Sequence, residues 1–220
     1  ISVHARKVKE ASLSFVMPNN GKRAILRCRD DQYLHPVPPL DITGCRALHL
    51  DGHQADAAIH YAKLCRERGI LTSLDGGSMR ANTMELLQLI DVAICSERMC
   101  EQLGVSAEGL CQILQQKGCR VGGVTLGERG LVWYDETGII RSMPSLVVRK
   151  SDVKDTNGAG DIFHGAYLYS YLSAPSQPWS EHFRFARAAS AHSVRFLGIE
   201  RSLPTVDDVA NAMREFREAA

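Results

Sequence analysis

The most constraining stretch of the chain is Asp155-Thr156-Asn157-Gly158-Ala159-Gly160-Asp161. An apolar, strand-like run over residues 143–153 precedes it. A helix-like run over residues 162–172 follows, with Phe163, Ala166, Tyr167 and Tyr171 at helical spacing. Two glycines flanking an alanine let the backbone turn sharply and approach a ligand closely. The first amides of the helix then point outward, unpaired, at its positive end. Such an end suits an anion, most naturally a phosphate. Asp161 is out of place there, because a carboxylate beside a bound anion is repulsive unless it handles a proton. A hydroxyl held between Asp161 and a phosphate would lose its proton to Asp161 as it attacks. The same residues also allow a plainer reading, a tight strand-to-helix turn with Asp161 as a first-turn acid.

With 220 residues the chain is long enough for one substantial domain with its own core. A net charge of +1 gives no overall field to draw nucleic acid or an anionic membrane surface. No apolar run is long enough to span a bilayer, so neither partner is expected. The N-terminus, Ile1-Ser2-Val3-His4-Ala5-Arg6-Lys7, has neither the apolar core of a signal peptide nor an initiator Met. We expect a cytoplasmic protein whose chain begins inside a longer one. Cys28, Cys45, Cys65, Cys95, Cys100, Cys111 and Cys119 make an odd count without a Cys-x-x-Cys pair. Reduced, metal-free thiols are therefore expected, several of them packed as small core residues.

Residues 1–30 read as extended. Ser12-Leu13-Ser14-Phe15-Val16 alternates, Pro18-Asn19-Asn20-Gly21 turns, and Arg23-Ala24-Ile25-Leu26-Arg27 returns as a hairpin partner. Residues 31–45 form a proline-rich connection. Ala47-Leu48-His49-Leu50 is a short buried strand ending at Asp51-Gly52-His53; a helix over 55–68 follows, stopped by Gly69. Ile70-Leu71-Thr72-Ser73-Leu74 is the next strand, ending at Asp75-Gly76-Gly77. This βαβ unit predicts a parallel sheet. A helix over 83–90, strands over 91–95 and 120–124 and a helix over 108–117 continue the pattern. Residues 131–134 are a strand, and residues 139–148 lead back to the opening motif. A helix over 183–196 capped by Ser180 and a terminal helix over 206–219 complete the chain. Asp51 and Asp75 lie at the carboxyl ends of strands, where open α/β sheets place ligands. They suit turn and capping chemistry equally well. His53 beside them is either a polar substrate contact or a solvated loop residue.

The string Asp-Thr-x-Gly-Ala-Gly-Asp followed by Ile162-Phe163-His164-Gly165-Ala166 resembles the C-terminal signature of the ribokinase (PfkB) family of carbohydrate kinases. Thr125-Leu126-Gly127-Glu128-Arg129-Gly130 resembles that family's ATP loop. Gly198-Ile199-Glu200-Arg201-Ser202-Leu203-Pro204 resembles its closing loop beside the adenine. The resemblance runs along nearly the whole chain and is strongest over 120–204. It implies a three-layer α/β/α sandwich, ribokinase-like, with a mostly parallel sheet and a small N-terminal β lid hairpin within residues 1–30. It also implies one kinase domain over 1–220 that lacks the family's N-terminal portion.

The implied reaction is transfer of the γ-phosphoryl group of ATP to a sugar hydroxyl, with Mg2+ and, in some members, K+. On this resemblance Gly158, Ala159 and Gly160 form the anion hole and Asp161 is the catalytic base. Thr125, Gly127, Gly130, Asn157, His192 and Gly198 contact the nucleotide. Asp51, His53 and Asp75 contact the sugar, and Asp155 and Ser202 border a monovalent cation. Many members carry Asn-x-x-Glu after the third of these parallel strands, the acid helping to organise magnesium. Here Ser96 and Met99 stand at those two positions, which leaves the neighbouring Glu97 as either a magnesium residue or a first-turn helix acid. Asp51-Gly52-His53 and Leu74-Asp75-Gly76 look like the ketose-kinase and sulfofructose-kinase side of the family. The alternatives are a nucleoside or phosphosugar kinase of the same family, or a non-catalytic sugar- or nucleotide-binding regulatory protein. The lid strands are the expected place for a homodimer contact.

Overall fold

The computed structural model describes residues 13–19, 22–28 and 37–219. The expected turn at Asn20-Gly21, the chain before Leu13 and residues 29–36 lie outside the described residues. Strands β1 (Leu13–Asn19) and β2 (Lys22–Cys28) pair antiparallel as the expected hairpin. They form a two-stranded sheet of their own rather than an edge of the main sheet. Phe15 pairs across with Leu26, and both are exposed, as is Met17 on the same face.

The main sheet has six strands: β3 (Ala47–Leu50), β4 (Leu71–Gly76), β5 (Val92–Ser96), β6 (Val121–Thr125), β7 (Leu131–Tyr134) and β8 (Arg141–Met143). Their order in space follows their order in sequence. The first four are parallel; β7 pairs antiparallel with β6, and β8 antiparallel with β7. Helices α1 (Ala55–Glu67), α2 (Thr83–Leu86, continued by a 3-10 turn), α3 (Glu97–Leu103) and α4 (Ala107–Gln116) carry the parallel crossovers. They share one core with one face of the sheet. Helices α5 (Ala159–Ser173) and α6 (Trp179–Ser193) cover the other face, and α7 (Ile199–Ser202) and α8 (Val206–Glu215) follow. Strand alternation sorts the two cores: Val92 and Ile94 of β5 join the α5–α6 side, while Ala93 and Cys95 join the α1–α4 side. This is the expected three-layer sandwich.

Three local expectations are corrected. The run over 143–153 is not a strand, because β8 ends at Met143 and Pro144 has no amide to extend the ladder. Its apolar residues instead wall a cavity, described below. Helix α6 begins at Trp179 with Pro178 as N-cap, four residues before the expected start, and buries Trp179 against Phe183. Helix α8 stops at Glu215; its start is fixed by a capping box in which Thr205 and Asp208 exchange side-chain and backbone hydrogen bonds. Cys65, Cys95, Cys100, Cys111 and Cys119 are buried free thiols and Cys45 is an exposed one; burial pushes Cys111 and Cys119 up to about 12. Among the described residues no helix is long and apolar enough to cross a membrane.

Candidate active site

Gly158 is the N-cap of α5 at φ +77°, a left-handed conformation that a side chain would strain. A Cβ there would also touch Ile199 Cγ1 at 3.4 Å. The turn ahead of it is pinned from several directions. Asp155 Oδ1 accepts the Asn157 amide at 2.8 Å, and Oδ2 accepts the Gly198 amide at 3.4 Å. The amides of Lys154 and Asp155 both donate to the Val194 carbonyl. Ser190 Oγ donates to the Ala159 carbonyl at 3.1 Å. The Ile162 amide donates to the Gly158 carbonyl and opens the helical ladder. The amides of Gly160 and Asp161 therefore lie ahead of it, at the positive end of α5.

A cavity of about 660 Å³ adjoins this helix start, a size that suits a small-molecule ligand. Thr125, Gly127 and Gly130 line it, together with Thr156, Ala159 and Gly160. Leu146, Val147, Val148 and Val153 form an apolar wall, and Ser190, Ala191 and Val194 of α6 also border it. Arg149, Lys150 and Arg187 bring positive charge. Arg187 is anchored, donating to the Pro144 carbonyl at 2.6 Å and to Glu218 at 2.9 Å.

An acidic group lies at the carboxyl ends of β3 and β4. Asp51 Oδ1 accepts the His53 amide at 2.9 Å, and His53 Nε2 meets Arg80 Nη2 at 2.6 Å. Asp75 is mostly buried. That burial, then the charges of Asp161 and Asp51, pushes its carboxyl up to about 6, against the pull of the Gly77 amide and Arg80. The charge of Asp161 also reaches His49, whose burial outweighs it and lowers the imidazole. The structure thus brings Asp51, Asp75 and Asp161 into one electrostatic neighbourhood.

Other expected site residues are engaged elsewhere. Glu97 forms an ion pair with Arg129 of the 126–130 loop. His192 is buried, its ring tilted against Phe196 with centroids 4.9 Å apart and its Nδ1 3.1 Å from Arg195 Nη2, and it does not line the cavity. Ser202 is buried with its Oγ donating to the Ile199 carbonyl, one turn from the Gly198 amide held by Asp155. Gly198 itself is the N-cap of α7 at φ +81°.

The model of the pfkB family of carbohydrate kinases matches residues 4–206. The chain belongs to that family. A ribokinase of Lactococcus lactis is 30% identical over 164 residues, 74% of this chain and 51% of that protein. A ribokinase of Haemophilus influenzae is 31% identical over 151 residues, 66% of this chain and 47% of that protein. The pfkB-family chain therefore spans about half the length of the curated relatives it matches. A cytidine kinase of Thermococcus kodakarensis is 29% identical over 91 residues, 40% of this chain and 31% of that protein. Ribokinase structures share the fold. That of Thermotoga maritima has a TM-score of 0.77 at 21% identity, covering 93% of this chain and 70% of that one. The Arabidopsis thaliana ribokinase complexed with ribose and ATP has a TM-score of 0.75 at 24% identity, covering 91% and 68%.

Around this pfkB-family site the structure adds residues that sequence reasoning missed: His49, Ser73, Arg80, His164 and Tyr167. Their only signal was polarity inside apolar elements, His49 within Ala-Leu-His-Leu and Ser73 within Leu-Thr-Ser-Leu. Asp75 has a measurable consequence. Its folded pKa of about 6 lies above its ordinary value of 3.8. Below about pH 4 both folded and unfolded chains hold the proton and burial of Asp75 costs little. As pH rises from 4 through 6 the unfolded chain releases the proton first, so this group's contribution to stability falls. His164, lowered to about 3 by burial, acts oppositely and removes stability as pH drops below 6.5. Asp75→Asn isolates the first effect. The mutant should gain stability relative to the parent between pH 4.5 and 7.5, by at most about 3 kcal/mol at ~1.4 kcal/mol per pH unit. Melting temperatures of both proteins across that range would check it; a constant gap would show that Asp75 ionises without cost.

Proposed function

We propose that the chain transfers the γ-phosphoryl group of ATP to a sugar hydroxyl, with Asp161 as the base. The observation that carries this reading is the position of the α5 start. Ala159 and Gly160 line the cavity shared with the 125–130 loop, while Asp161 faces the acidic strand ends. ATP would fill the cavity with its phosphates against the α5 amides and Lys150 or Arg149 nearby. The sugar would lie across Asp51, His53 and Asp75. As the acceptor oxygen bonds to the γ-phosphorus, its proton passes to Asp161, the bond to the β-phosphate oxygen breaks and ADP leaves. Positioning and charge neutralisation supply most of the acceleration in such transfers.

Among the described residues no group of three His, Cys, Asp or Glu side chains could hold a metal ion. That fits magnesium carried by the nucleotide, since this ion keeps much of its water and binds chiefly through phosphates with one or two carboxylates. When bound it neutralises charge on the transferring phosphates. Glu97 reaches it only by releasing Arg129. Asp155, Gly198 and Ser202 share the segment where we place a monovalent cation, on the strength of the Asp155–Gly198 contact.

The test is ATP consumption by the full-length protein, against a panel of ketoses, aldoses and nucleosides. We expect turnover with a free sugar. Turnover confined to nucleosides would move the assignment to the second reading, which the cytidine kinase relative favours. ATP binding without turnover on any acceptor would support a regulatory protein.

A further inference from the structure

Asp161, His164 and Tyr167 follow one another at i, i+3 and i+6 on α5, so they descend one face of the helix from its exposed start into the core. Ser73 and Asp75 stand two apart on β4 and share a face. His49 of β3 is the register partner of Ser73. These three alignments produce a continuous contact chain, buried at Ser73, Tyr167 and His164 and open to solvent at His49. His49 Nδ1 lies 2.9 Å from Ser73 Oγ, Ser73 Oγ lies 2.6 Å from Tyr167 Oη, Tyr167 Oη lies 3.4 Å from His164 Nδ1, and His164 Nε2 lies 3.5 Å from Asp75 Oδ1.

We propose that His49, Ser73, Tyr167 and His164 form a relay, running from the surface into the core, that positions Asp75 and decides whether it accepts or donates a hydrogen bond at a sugar hydroxyl. The acceptor half of this proposal rests on the kinase reading; the relay itself does not.

The supply of donors and acceptors fixes the direction of each bond. A neutral imidazole has one N–H and one lone pair, and each hydroxyl donates once. With Asp75 ionised, the proton of His164 belongs on Nε2, which stands at ion-pair distance from the carboxylate, so Nδ1 accepts from Tyr167. Tyr167 then accepts from Ser73, and Ser73 accepts from His49 Nδ1–H. With Asp75 protonated, its O–H donates to His164 Nε2 and every bond reverses. Nothing in between can carry a charge, because burial holds His164 neutral and raises the Tyr167 phenol beyond ordinary ionisation. The groups facing Asp75 are Asp51 from β3, Arg80 from the turn after β4, Asp161 and His164 from α5, Tyr167 behind them, and Cys95 of β5, a thiol that burial keeps protonated. Two are carboxylates and one is a cation, so His164 is the neutral group that can answer either state of Asp75. An ionised Asp75 takes a hydroxyl hydrogen from the sugar. A protonated Asp75 spends its hydrogen on His164 and loses that grip.

The experiment has two arms on the protein with its natural N-terminus. Nitrogen NMR of the histidine rings, with His164 assigned by His164→Asn, should show Nε2–H at pH 7.5 and Nδ1–H at pH 5, with no second proton taken up. A tautomer that stays fixed over this range overturns the relay. In the kinetic arm, KM for the sugar should rise about tenfold at pH 5, where roughly a tenth of Asp75 stays ionised one unit below its midpoint near 6, with KM for ATP unchanged. Tyr167→Phe cuts the relay while keeping the ring, and should move the KM midpoint, because His164 Nδ1 then loses its partner in both states of Asp75. A purely packing role for the hydroxyl would lower the melting temperature and leave the midpoint in place. Should that variant not fold, Ser73→Ala removes the adjacent link and makes the same prediction. A tautomer switch in an enzyme whose sugar KM ignores pH overturns the acceptor role. A switch in a protein that phosphorylates no sugar keeps the relay and removes the kinase reading.

Discussion

Asp161→Asn should leave ATP binding nearly intact and lower kcat by ~10²–10⁴-fold, the usual contribution of a general base. That is roughly 3–5 kcal/mol of transition-state stabilisation at ~1.4 kcal/mol per decade. Asparagine keeps the size of the side chain but cannot take the hydroxyl proton. Asp161 is exposed, so the fold should hardly register the change. A role limited to helix electrostatics predicts the reverse, a loss of about 0.3–1 kcal/mol of stability with turnover unaltered. Measuring kcat and melting temperature on one mutant separates the two. A second readout is available because the charge of Asp161 helps to raise Asp75. Neutralising it should bring the Asp75 midpoint down toward its ordinary value, and an unmoved midpoint would show that the two carboxylates do not sense each other.

Gly130→Ala should be the most damaging single-methyl change in the 125–130 loop. Gly130 sits at φ +91°, and a Cβ there would overlap the Met143 carbonyl oxygen and stand 2.8 Å from both the Pro144 carbonyl carbon and the Ser145 amide nitrogen. All three obstacles are backbone, so no side-chain rotation relieves them. They belong to the end of β8 and the cavity wall, so the strain falls directly on the proposed nucleotide site. We expect a loss of about 3 kcal/mol or more, a melting temperature lower by about 10 °C at ~2–4 °C per kcal/mol for a chain of this size, and weaker ATP binding. Gly127→Ala is the control. That residue is also left-handed, φ +59°, but nothing stands within 4 Å of its Cβ position, so about 1–2 kcal/mol of backbone strain is all it should cost. Equal losses at the two positions would show that the Met143–Ser145 backbone yields, contrary to its pairing on both sides.

The parallel half of the sheet was legible because each strand is a short apolar run closed by a turn or a helix stop. The expected strand over 47–50 coincides with β3, and the strand expected over 70–74 lies within a residue of the start of β4. The apolar run over 143–153 misled for a physical reason: hydrophobicity marks removal from water, and a ligand cavity removes side chains from water as a sheet does. The glycine-rich start of α5 could be read locally, since its chemistry is backbone chemistry. The relay could not. His49, Ser73, Tyr167 and Asp75 come together only through strand register and helix phase, and a one-residue slip of β3 against β4 would dissolve it. Glu97 shows the same limit, because the arginine that occupies it stands 32 residues away.

The short antiparallel bridge between Leu146 and Glu218, reinforced by the Val147–Arg217 and Ser145–Ala219 hydrogen bonds, has a consequence for how the protein is made. One wall of the proposed nucleotide cavity is laid down at residues 145–150, yet Ala219 lines the same space. A chain emerging from the ribosome at ~5–20 residues per second would expose the first wall several seconds before the second. Through that interval the apolar residues 146–148 stand open, with the sheet behind them already complete. Closure of that cavity would therefore come late in the folding of this segment, after its sheet.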